Sequence, residues 1–278
     1  MTQEEKASHL RDLHRGTQIL ILPNAWDVAT GRVFEMAGFA AIGTTSAGIA
    51  ASHGYPDGEN ISRDEMLETV IRIVRAVAVP VTADVESGYG DPIATARAVA
   101  ATGAVGMNLE DTLAEADDTL VGLSEQTAII REIRALNLPL VINARTDIYL
   151  ASVGDPSRRF ARTVERLNAY REAGADCLFA PGVSDRGTIA ALAREVRAPL
   201  NILATTGTPT ASDLQKLGVA RVSVGSGPAR AALGLIRQIA NELREHGSYN
   251  AFLEGQIPYA EVNQMLRYAP RSSAGNSI

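Results

Sequence analysis

Two pairs of carboxylates stand where neighbouring apolar segments of the chain end: Asp84 with Glu86, and Glu110 with Asp111. If the segments are strands, alternation places Asp84 and Glu86 on one face, and like charges held this close need a neutralising cation. Oxygen ligands without histidine or cysteine suit Mg²⁺, with Mn²⁺ as the second choice, and disfavour zinc. We expect all four carboxylates to lie in one site, in which Asp84, Glu86 and Glu110 are the predicted metal ligands. The alternative is that some of these acids cap helices or pair with Arg145.

Arg145 stands at the end of the next apolar segment, in the run Asn-Ala-Arg-Thr-Asp that spans 143–147. A guanidinium beside a metal site binds a carboxylate in a fork or stabilises negative charge on an oxygen. We therefore predict that Arg145 contacts the substrate and takes part in catalysis, together with Glu110. A structural ion pair with Glu110 or Asp147 is the alternative, and the two interpretations are compatible.

Loops after other apolar segments add candidate ligands. The run 44–48 (Thr-Thr-Ser-Ala-Gly) exposes backbone N–H groups, which bind anions, and two hydroxyls there add donors. In the loop 52–58, Asp57 is a catalytic candidate within reach of the site, and His53 is either an acid–base group or merely solvated. The predicted substrate-binding residues are Thr45, Ser46, Ala47, Asp84, Arg145 and Thr205.

Thr205 opens the run 205–208, which together with 225–228 follows the last two apolar segments. Barrels frequently bind phosphate between the loops that follow strands seven and eight. Both runs are also typical of helix starts, so phosphate binding is one of two interpretations.

These residues follow eight short apolar segments, which segments of helical periodicity separate. Ser62 with Glu65 forms a capping box, Asp91 precedes a proline, and Ser124 is a further candidate cap. Glycines predicted to end helices are Gly38, Gly103, Gly174 and Gly218. Alternating strands and helices predict a parallel sheet, and eight units fit a closed barrel. The predicted fold class is therefore α/β, a (β/α)8 TIM-type barrel.

The chain has 278 residues, close to the size of one such barrel, roughly 250 residues. We predict one domain over 1–278, in which 247–278 is a C-terminal helical extension and tail. An extra helix outside a finished barrel favours a homo-oligomer.

Composition excludes several classes of protein. The net charge is −6 and aromatic residues make up 5%, with no basic run, which argues against a nucleic-acid partner. The single cysteine, Cys177, fits a reducing compartment. The N-terminus lacks a signal pattern, and no apolar stretch approaches the ~20 residues of a membrane helix. We therefore expect a cytoplasmic protein without a membrane partner.

Several runs, taken together, resemble the isocitrate lyase/phosphoenolpyruvate mutase superfamily. They are 24–27 (Asn-Ala-Trp-Asp), 44–48, 56–57 (Pro-Asp), 84–90 (Asp-Val-Glu-Ser-Gly-Tyr-Gly), 109–111 (Leu-Glu-Asp) and 143–147. The resemblance extends in order from about residue 18 to about residue 245. An acidic strand end before a Gly-aromatic-Gly turn, followed by Leu-Glu-Asp and Ala-Arg, is a specific combination.

The resemblance implies a barrel whose eighth helix is exchanged between neighbouring subunits, usually in a tetramer that is a dimer of dimers. It implies Mg²⁺ near Asp84, with Glu86 and Glu110 often acting through bound water. It also implies that a 2-oxo acid or its enol binds, with its carboxylate held by residues 45–47 and its reacting oxygens near Arg145. Family members cleave or form a C–C or P–C bond next to such a group.

The chain departs from the family pattern in the loop after the Glu-Asp pair. Lyases that split isocitrate-type acids carry Lys-x-Cys-Gly-His there, whereas 112–121 has no Lys, Cys or His. This argues against cleavage of isocitrate or methylisocitrate. The acids between Glu115 and Asp118 would also repel a trianionic substrate.

The phosphonate mutases differ as well. They have a Lys and an Asn in the same loop, which this chain lacks, and a His at the end of strand six, where this chain has Pro181 and Gly182. The aromatic residue that family members place before the carboxylate loop corresponds to Gly43.

The sequence therefore predicts a Mg²⁺-dependent carbon–carbon lyase or decarboxylase. Its substrate would be a small 2-oxo or 2-hydroxy (di)carboxylic acid, and the reaction would pass through an enolate-like intermediate. One alternative is an enzyme acting on the P–C bond of a phosphonate, of the mutase or phosphonopyruvate hydrolase type. Another is a non-catalytic 2-oxo acid binder. Candidates for the general acid are His53, Tyr89 and a metal-bound water.

Overall fold

The computed structural model describes residues 1–112 and 120–267, in which short parallel strands build one sheet. The strands are β1 (Leu20–Leu22), β2 (Asn24–Ala25), β3 (Ile42–Thr44), β4 (Val81–Asp84), β5 (Gly106–Glu110), β6 (Val141–Arg145), β7 (Cys177–Phe179), β8 (Leu200–Leu203) and β9 (Arg221–Ser223). Their order in the nine-stranded sheet is β1-β9-β8-β7-β6-β5-β4-β3-β2. Since all of them run parallel, their C-terminal ends meet at one face.

Pro23 divides the first barrel strand into β1 and β2. Proline has no N–H to donate to a strand ladder, although its carbonyl still accepts from the Gly43 N–H at 2.8 Å. β1 pairs with β9, and β2 pairs with β3. The two halves therefore join the opposite ends of the sheet, and the predicted (β/α)8 barrel is confirmed.

Helices alternate with the strands and surround the barrel. They are α1 (Gln3–Arg15), α2 (Val28–Met36), α3 (Ser46–Ser52), α4 (Arg63–Ala76), α5 (Pro92–Ala101), α6 (Leu123–Ala135), α7 (Pro156–Ala173), α8 (Arg186–Glu195), α9 (Ala211–Lys216), α10 (Gly227–His246), α11 (Asn250–Leu253) and α12 (Tyr259–Leu266). None of the helices that the structure describes is both long and apolar enough to cross a bilayer.

Local capping explains most helix boundaries. Ser62 and Glu65 form the predicted capping box, and Asp91 caps α5 as predicted. The prediction for Ser124 is wrong: α6 begins one residue before it, and Gly122 is the N-cap, without a side-chain bond. The predicted terminal glycines all have positive φ: Gly38 (+89°), Gly103 (+87°), Gly174 (+113°) and Gly218 (+89°).

Helix α1 covers the N-terminal end of the barrel. Its Ala7 and Leu10 are buried in a cluster with residues of β1 and β6 and with Val105, which directly precedes β5. His14 is 5% exposed, and its Nδ1 lies 2.7 Å from the Leu10 carbonyl oxygen. Because a carbonyl oxygen can only accept, Nδ1 carries the proton of a neutral ring. Burial first, and Arg221 next, lower the pKa of His14 to about 4.

We predict that the free energy of unfolding falls as the pH is lowered from about 6.5 towards 4. In this window the unfolded chain takes up a proton that the folded protein excludes from His14. The loss is about 1.4 kcal/mol per pH unit, or about 2 kcal/mol between pH 6.5 and 5. Urea unfolding of wild type and His14→Gln at both pH values measures it, with the exposed His9→Gln as control. Equal pH dependence in wild type and His14→Gln would contradict the prediction.

Candidate active site

A cavity of about 260 Å³ opens at the C-terminal ends of the strands. Its lining residues are Asn24, Thr45, Ser46, Ala47, Asp57, Asp84, Asn108, Arg145, Leu150, Phe179, Pro181, Leu203, Thr205, Ser223, Gly225, Ser226 and Arg230. The predicted residues among them are Thr45, Ser46, Ala47, Asp57, Asp84, Arg145 and Thr205. Glu86 and Glu110 are outside this lining set.

Asp84, the last residue of β4, is held by hydrogen bonds on both carboxylate oxygens. Its Oδ2 accepts from the Ser46 N–H at 3.1 Å and from the Ser46 hydroxyl at 2.9 Å. Its Oδ1 accepts from Asn108 Nδ2 at 3.2 Å. The carboxylate is therefore fixed at the cavity wall by neutral donors rather than by an ion pair.

The run 45–47 begins α3, and its three backbone N–H groups have different partners. The Thr45 N–H donates to the Ala25 carbonyl at 3.1 Å, and the Ser46 N–H donates to Asp84. Within the described part of the chain, the half-buried Ala47 N–H has no acceptor. Of the three backbone N–H groups of this run, the Ala47 N–H is therefore the one left free for a ligand.

Glu86 is placed by a loop and not by strand β4, which ends at Asp84. Its Oε2 accepts from the Glu59 N–H at 2.8 Å, and its Oε1 accepts from the Tyr89 hydroxyl at 3.3 Å. Glu59 in turn accepts from the N–H groups of Ser87 and Tyr89 at 3.0 and 2.9 Å. Burial, then the charges of Asp84 and Asp57, raise the pKa of Glu86 to about 7.

Arg145 forms both of the ion pairs that the sequence offered as the alternative. Its Nη1 lies 2.6 Å from Glu110 Oε2, and its Nε and Nη2 donate to Asp147 at 2.6 and 2.7 Å. Against the effect of burial, Glu110 and Asp147 raise the pKa of Arg145. Burial raises the pKa of Glu110, with Arg145 opposing the rise. Arg145 also lines the cavity, so the pairing and the substrate-contact interpretations stay compatible.

Asp111 does not belong to this acidic cluster, which corrects the expectation that all four strand-end carboxylates form one site. It is fully buried, and its Oδ2 accepts from Arg166 Nε at 2.7 Å and from the Tyr170 hydroxyl at 2.6 Å. Both partners lie on α7. Because Asp111 directly follows Glu110, alternation along the chain sends the two side chains in opposite directions.

The acid–base candidate His53 lies outside the cavity, and the loops considered for a phosphate make hydrogen bonds within the protein. His53 is exposed and outside the cavity lining, and its Nδ1 lies 3.0 Å from the Ile49 carbonyl oxygen. Two of the donors in the loops considered for a phosphate are used internally, since the Thr205 N–H donates to the Thr208 hydroxyl and the Gly225 N–H donates to Asn24. The acidic loop from Glu115 to Asp118 lies outside the described residues.

Two asparagines and a glutamate of the site have positioning roles that the sequence analysis did not assign. Asn108 donates to Asp84 and itself accepts from Asn143 Nδ2 at 2.7 Å. Asn24 donates to the Thr44 carbonyl at 2.8 Å. Its Oδ1 accepts from the N–H groups of Val224 and Gly225, which directly follow β9. Period-two alternation with Glu110 could have identified Asn108, but no local signal identifies Glu59.

Asn24 also restricts which residue can stand at position 43, where the resemblance implies an aromatic residue. A Cβ at Gly43 would lie 2.8 Å from Asn24 Nδ2 and 3.0 Å from Leu22 Cδ2. No larger side chain fits unless Asn24 moves. The asparagine therefore occupies the space beside the carboxylate loop.

The chemistry of the donor set fits a hard divalent cation. Among the described residues, no three acidic, histidine or cysteine side chains are grouped as a preformed metal site. However, Asp57, Glu86 and Glu110 all have a raised pKa, to which burial contributes most and the charge of Asp84 contributes further. Carboxylates that raise one another's pKa values form a negative field that a dication would relieve.

The chain is similar in sequence to a family model and to several known proteins. A family model described as phosphoenolpyruvate phosphomutase matches residues 10–244. An uncharacterised protein of Mycobacterium tuberculosis is 36% identical over 94% of this chain and 98% of its own length. A 2-methylisocitrate lyase of Halalkalibacterium halodurans is 28% identical, covering 96% and 91%. An oxaloacetate decarboxylase of Pseudomonas putida is 29% identical, covering 84% and 78%.

Solved structures agree with this relationship. A putative lyase/mutase from Burkholderia cenocepacia is 40% identical with a TM-score of 0.88, covering 96% of this chain and 97% of its own. Oxaloacetate acetylhydrolase in complex with oxalate is 26% identical with a TM-score of 0.82, covering 95% and 94%. Phosphonopyruvate hydrolase in complex with oxalate and Mg²⁺ is 25% identical with a TM-score of 0.82, covering 95% of each chain.

We predict that Asp111→Asn lowers the free energy of unfolding by about 3 kcal/mol, because it leaves the Arg166 charge without its buried partner. Glu68→Gln, which breaks the exposed Arg72–Glu68 pair, is the control and should cost less than about 1 kcal/mol. Urea unfolding monitored by circular dichroism measures both. Similar losses in the two variants would show that Asp111 is not a structural anchor.

Proposed function

This chain belongs to the isocitrate lyase/phosphoenolpyruvate mutase superfamily, and from that premise we propose that it is a Mg²⁺-dependent carbon–carbon lyase or decarboxylase. Its substrate would be a small 2-oxo or 2-hydroxy dicarboxylic acid, and the reaction would pass through an enolate-like intermediate. The observation that carries the proposal is that one cavity has Asp84, Arg145 and the unpaired Ala47 N–H in its wall. The superfamily relatives named above include lyases and decarboxylases of small carboxylic acids.

Asp84 would hold Mg²⁺, or Mn²⁺ in its place, with Glu86 and Glu110 reaching the ion through water. When bound, the ion supplies positive charge beside the 2-oxo oxygen of the substrate. The Mg²⁺ in the phosphonopyruvate hydrolase complex supports this assignment.

Groups of the protein itself would bind the substrate carboxylate, stabilise the enolate and hold a proton. The Ala47 N–H, with Thr45 and Ser46 around it, binds the carboxylate next to the 2-oxo group. Arg145 stabilises the charge that develops on the enolate oxygen, and Glu110 and Asp147 keep its guanidinium in place. Asp57, whose pKa burial and Asp84 raise, is suited to hold a proton at the cavity edge.

The sequence of the loop 112–121 narrows the range of possible substrates. The stretch 112–121 contains no Lys, Cys or His, so the proton donor of the isocitrate-type lyases is missing. We therefore propose an oxaloacetate-like acid, rather than an isocitrate-type acid, as the substrate. The names of two relatives, an oxaloacetate decarboxylase and an oxaloacetate acetylhydrolase, support this substrate class.

We predict that Asp84→Ala abolishes turnover of the active member of a panel of 2-oxo and 2-hydroxy acids assayed with Mg²⁺. The expected loss is at least about 100-fold, since Asp84 is the proposed anchor of the ion. Asp64→Ala removes an exposed acid, whose side chain is 86% accessible, and serves as the control. Loss of Mn²⁺ binding in Asp84→Ala, followed by electron paramagnetic resonance, is the second readout.

Equal turnover by wild type and Asp84→Ala would refute the proposal. Phosphorus NMR of the same panel, extended to phosphonopyruvate, tests the alternative of P–C bond chemistry, which the phosphonopyruvate hydrolase relative supports. Ligand-dependent thermal stabilisation without turnover of any panel member would favour a non-catalytic 2-oxo acid binder.

We also propose that the chain forms a homo-oligomer in which α10 is exchanged between subunits. Leu233 and Ile236 on α10 are 59% and 60% exposed, although both are large and apolar. Together with Trp26, Ala51 and Ala232 they line an apolar groove at the start of the helix. A second copy of α10 would cover these side chains.

We predict that wild type sediments as a tetramer and that Leu233→Glu combined with Ile236→Glu gives a smaller species. Charges at these two positions would be buried in the proposed interface at high cost. Met36→Glu, at an exposed apolar residue of α2 outside the groove, is the control. Analytical ultracentrifugation distinguishes the outcomes, and a monomeric wild type would contradict the proposal.

A further inference from the structure

Arg221, on β9, is a buried charge to which the proposed reaction gives no role. Its side chain is fully buried. Alternation along β9 places it on the same face as Ser223, which lines the cavity, whereas Val222 packs in a cluster with residues of the surrounding helices. Arg221 precedes Ser223 and is outside the lining set. Its guanidinium therefore lies inside the barrel, beneath the cavity.

The guanidinium of Arg221 has few partners for a buried charge. Its Nη2 donates to Asn108 Oδ1 at 3.4 Å, whereas its Nε and Nη1 have no acceptor among residues 1–112 and 120–267. Arg221 also forms no ion pair with any residue in these ranges. Burial of a guanidinium without a carboxylate partner is unfavourable. The stability of the barrel alone therefore does not account for an arginine at this position.

One side-chain amide separates Arg221 from the proposed anchor of the cation. Asn108 directs its Oδ1 to Arg221 and its Nδ2 to Asp84 Oδ1, which lies at 3.2 Å. Asn143 Nδ2 also donates to Asn108 Oδ1, at 2.7 Å, and so holds the amide in this orientation. The amide dipole is therefore aligned between a positive and a negative group, and it transmits the effect of the Arg221 charge to Asp84.

Asp84 is the charged group that Arg221 faces from within the barrel. Among the described residues, the titratable groups that interact with Arg221 are His14, Cys177 and Asp84. Burial lowers the pKa of His14 to about 4 and raises the pKa of Cys177 to about 12. Both are therefore neutral near pH 7, which leaves the Asp84 carboxylate as the partner of the Arg221 charge.

We propose that Arg221 is the buried counter-charge of Asp84, and that it sets how strongly the cavity binds an acidic ligand relative to a cation. This inference rests on the proposed function, in which Asp84 anchors the cation. A fixed positive charge beneath Asp84 weakens the attraction of the site for a cation alone and strengthens its attraction for an anion. Arg221 thus favours acidic substrates through its electrostatic field, without touching them.

The test measures cation binding and anion binding separately. Electron paramagnetic resonance gives the Kd of Mn²⁺ for the protein without an organic ligand, and calorimetry at saturating Mg²⁺ gives the Kd of oxalate. Arg221→Met removes the charge and keeps most of the side-chain length. We expect it to bind Mn²⁺ about 10-fold more tightly and oxalate about 10-fold more weakly than wild type. Changes of opposite sign distinguish a lost charge from a distorted site, which would weaken both.

Two further variants and a stability measurement serve as controls. Arg221→Lys keeps the charge, and both of its Kd values should stay within about threefold of wild type. Arg131→Met removes an exposed arginine of α6 and should bind both ligands like wild type. Urea unfolding should show that Arg221→Met is at least as stable as wild type, because methionine needs no buried hydrogen-bond partner.

Weakening of both ligands in Arg221→Met, a change in neither, or a marked loss of its stability would overturn the role of Arg221 while leaving the proposed function intact. Arg221→Lys behaving like Arg221→Met would also overturn it, and so would equal shifts in Arg131→Met, which would trace the effect to net charge. A wild-type protein that binds neither Mn²⁺ nor oxalate would refute the proposed function itself, and this inference with it.

Discussion

Burial of several carboxylates close together, near the ends of β4 and β5, is the constraint around which the site is organised. Asp57, Glu86 and Glu110 lie around Asp84, and each of the three has a pKa that is raised chiefly by burial and further by the charge of Asp84. Arg145 offsets part of the negative charge, but it is shared between Glu110 and Asp147. The folded protein by itself therefore neutralises only part of the negative charge of this cluster. A positive charge from outside the chain would stabilise it, and this is the physical basis of the proposal that a divalent cation binds together with an acidic substrate.

The backbone beside the cluster holds unfavourable conformations to keep these groups in place. Glu59, Glu86 and Tyr89 have φ values of +58°, +50° and +55°, a region that costs a residue other than glycine about 1–2 kcal/mol. Glu59 offsets this cost by accepting three hydrogen bonds, from the Ser87 N–H and hydroxyl and the Tyr89 N–H. Strain of this kind concentrates at functional sites, where neighbouring contacts determine the conformation. The position of Glu86 thus depends on a loop that precedes it by about thirty residues, and not on its own strand.

The barrel could be predicted from the sequence because its signals are local. Helix boundaries could be predicted from the caps at Ser62 and Asp91 and from the glycines after four helices. The closed barrel could be predicted from the number of alternating strand and helix units. The site was predictable only in part. Asp84 and Arg145 end strands, so strand polarity brings them to the mouth, whereas Glu86 lies beyond the end of β4, where alternation no longer applies. The role of Asp111 depends on Arg166 and Tyr170, which lie more than fifty residues away.

Asn24 has a consequence for how the protein is made. It lies at the seam where the barrel closes, between β9 and β3. It accepts from the Val224 N–H, 200 positions further along the chain, and donates to the Thr44 carbonyl on the other side of this seam. The cavity wall includes residues from both sides of this seam. A nascent polypeptide on the ribosome therefore has no binding pocket until the last barrel strand has emerged, although every acidic group of the cluster and Arg145 were synthesised much earlier.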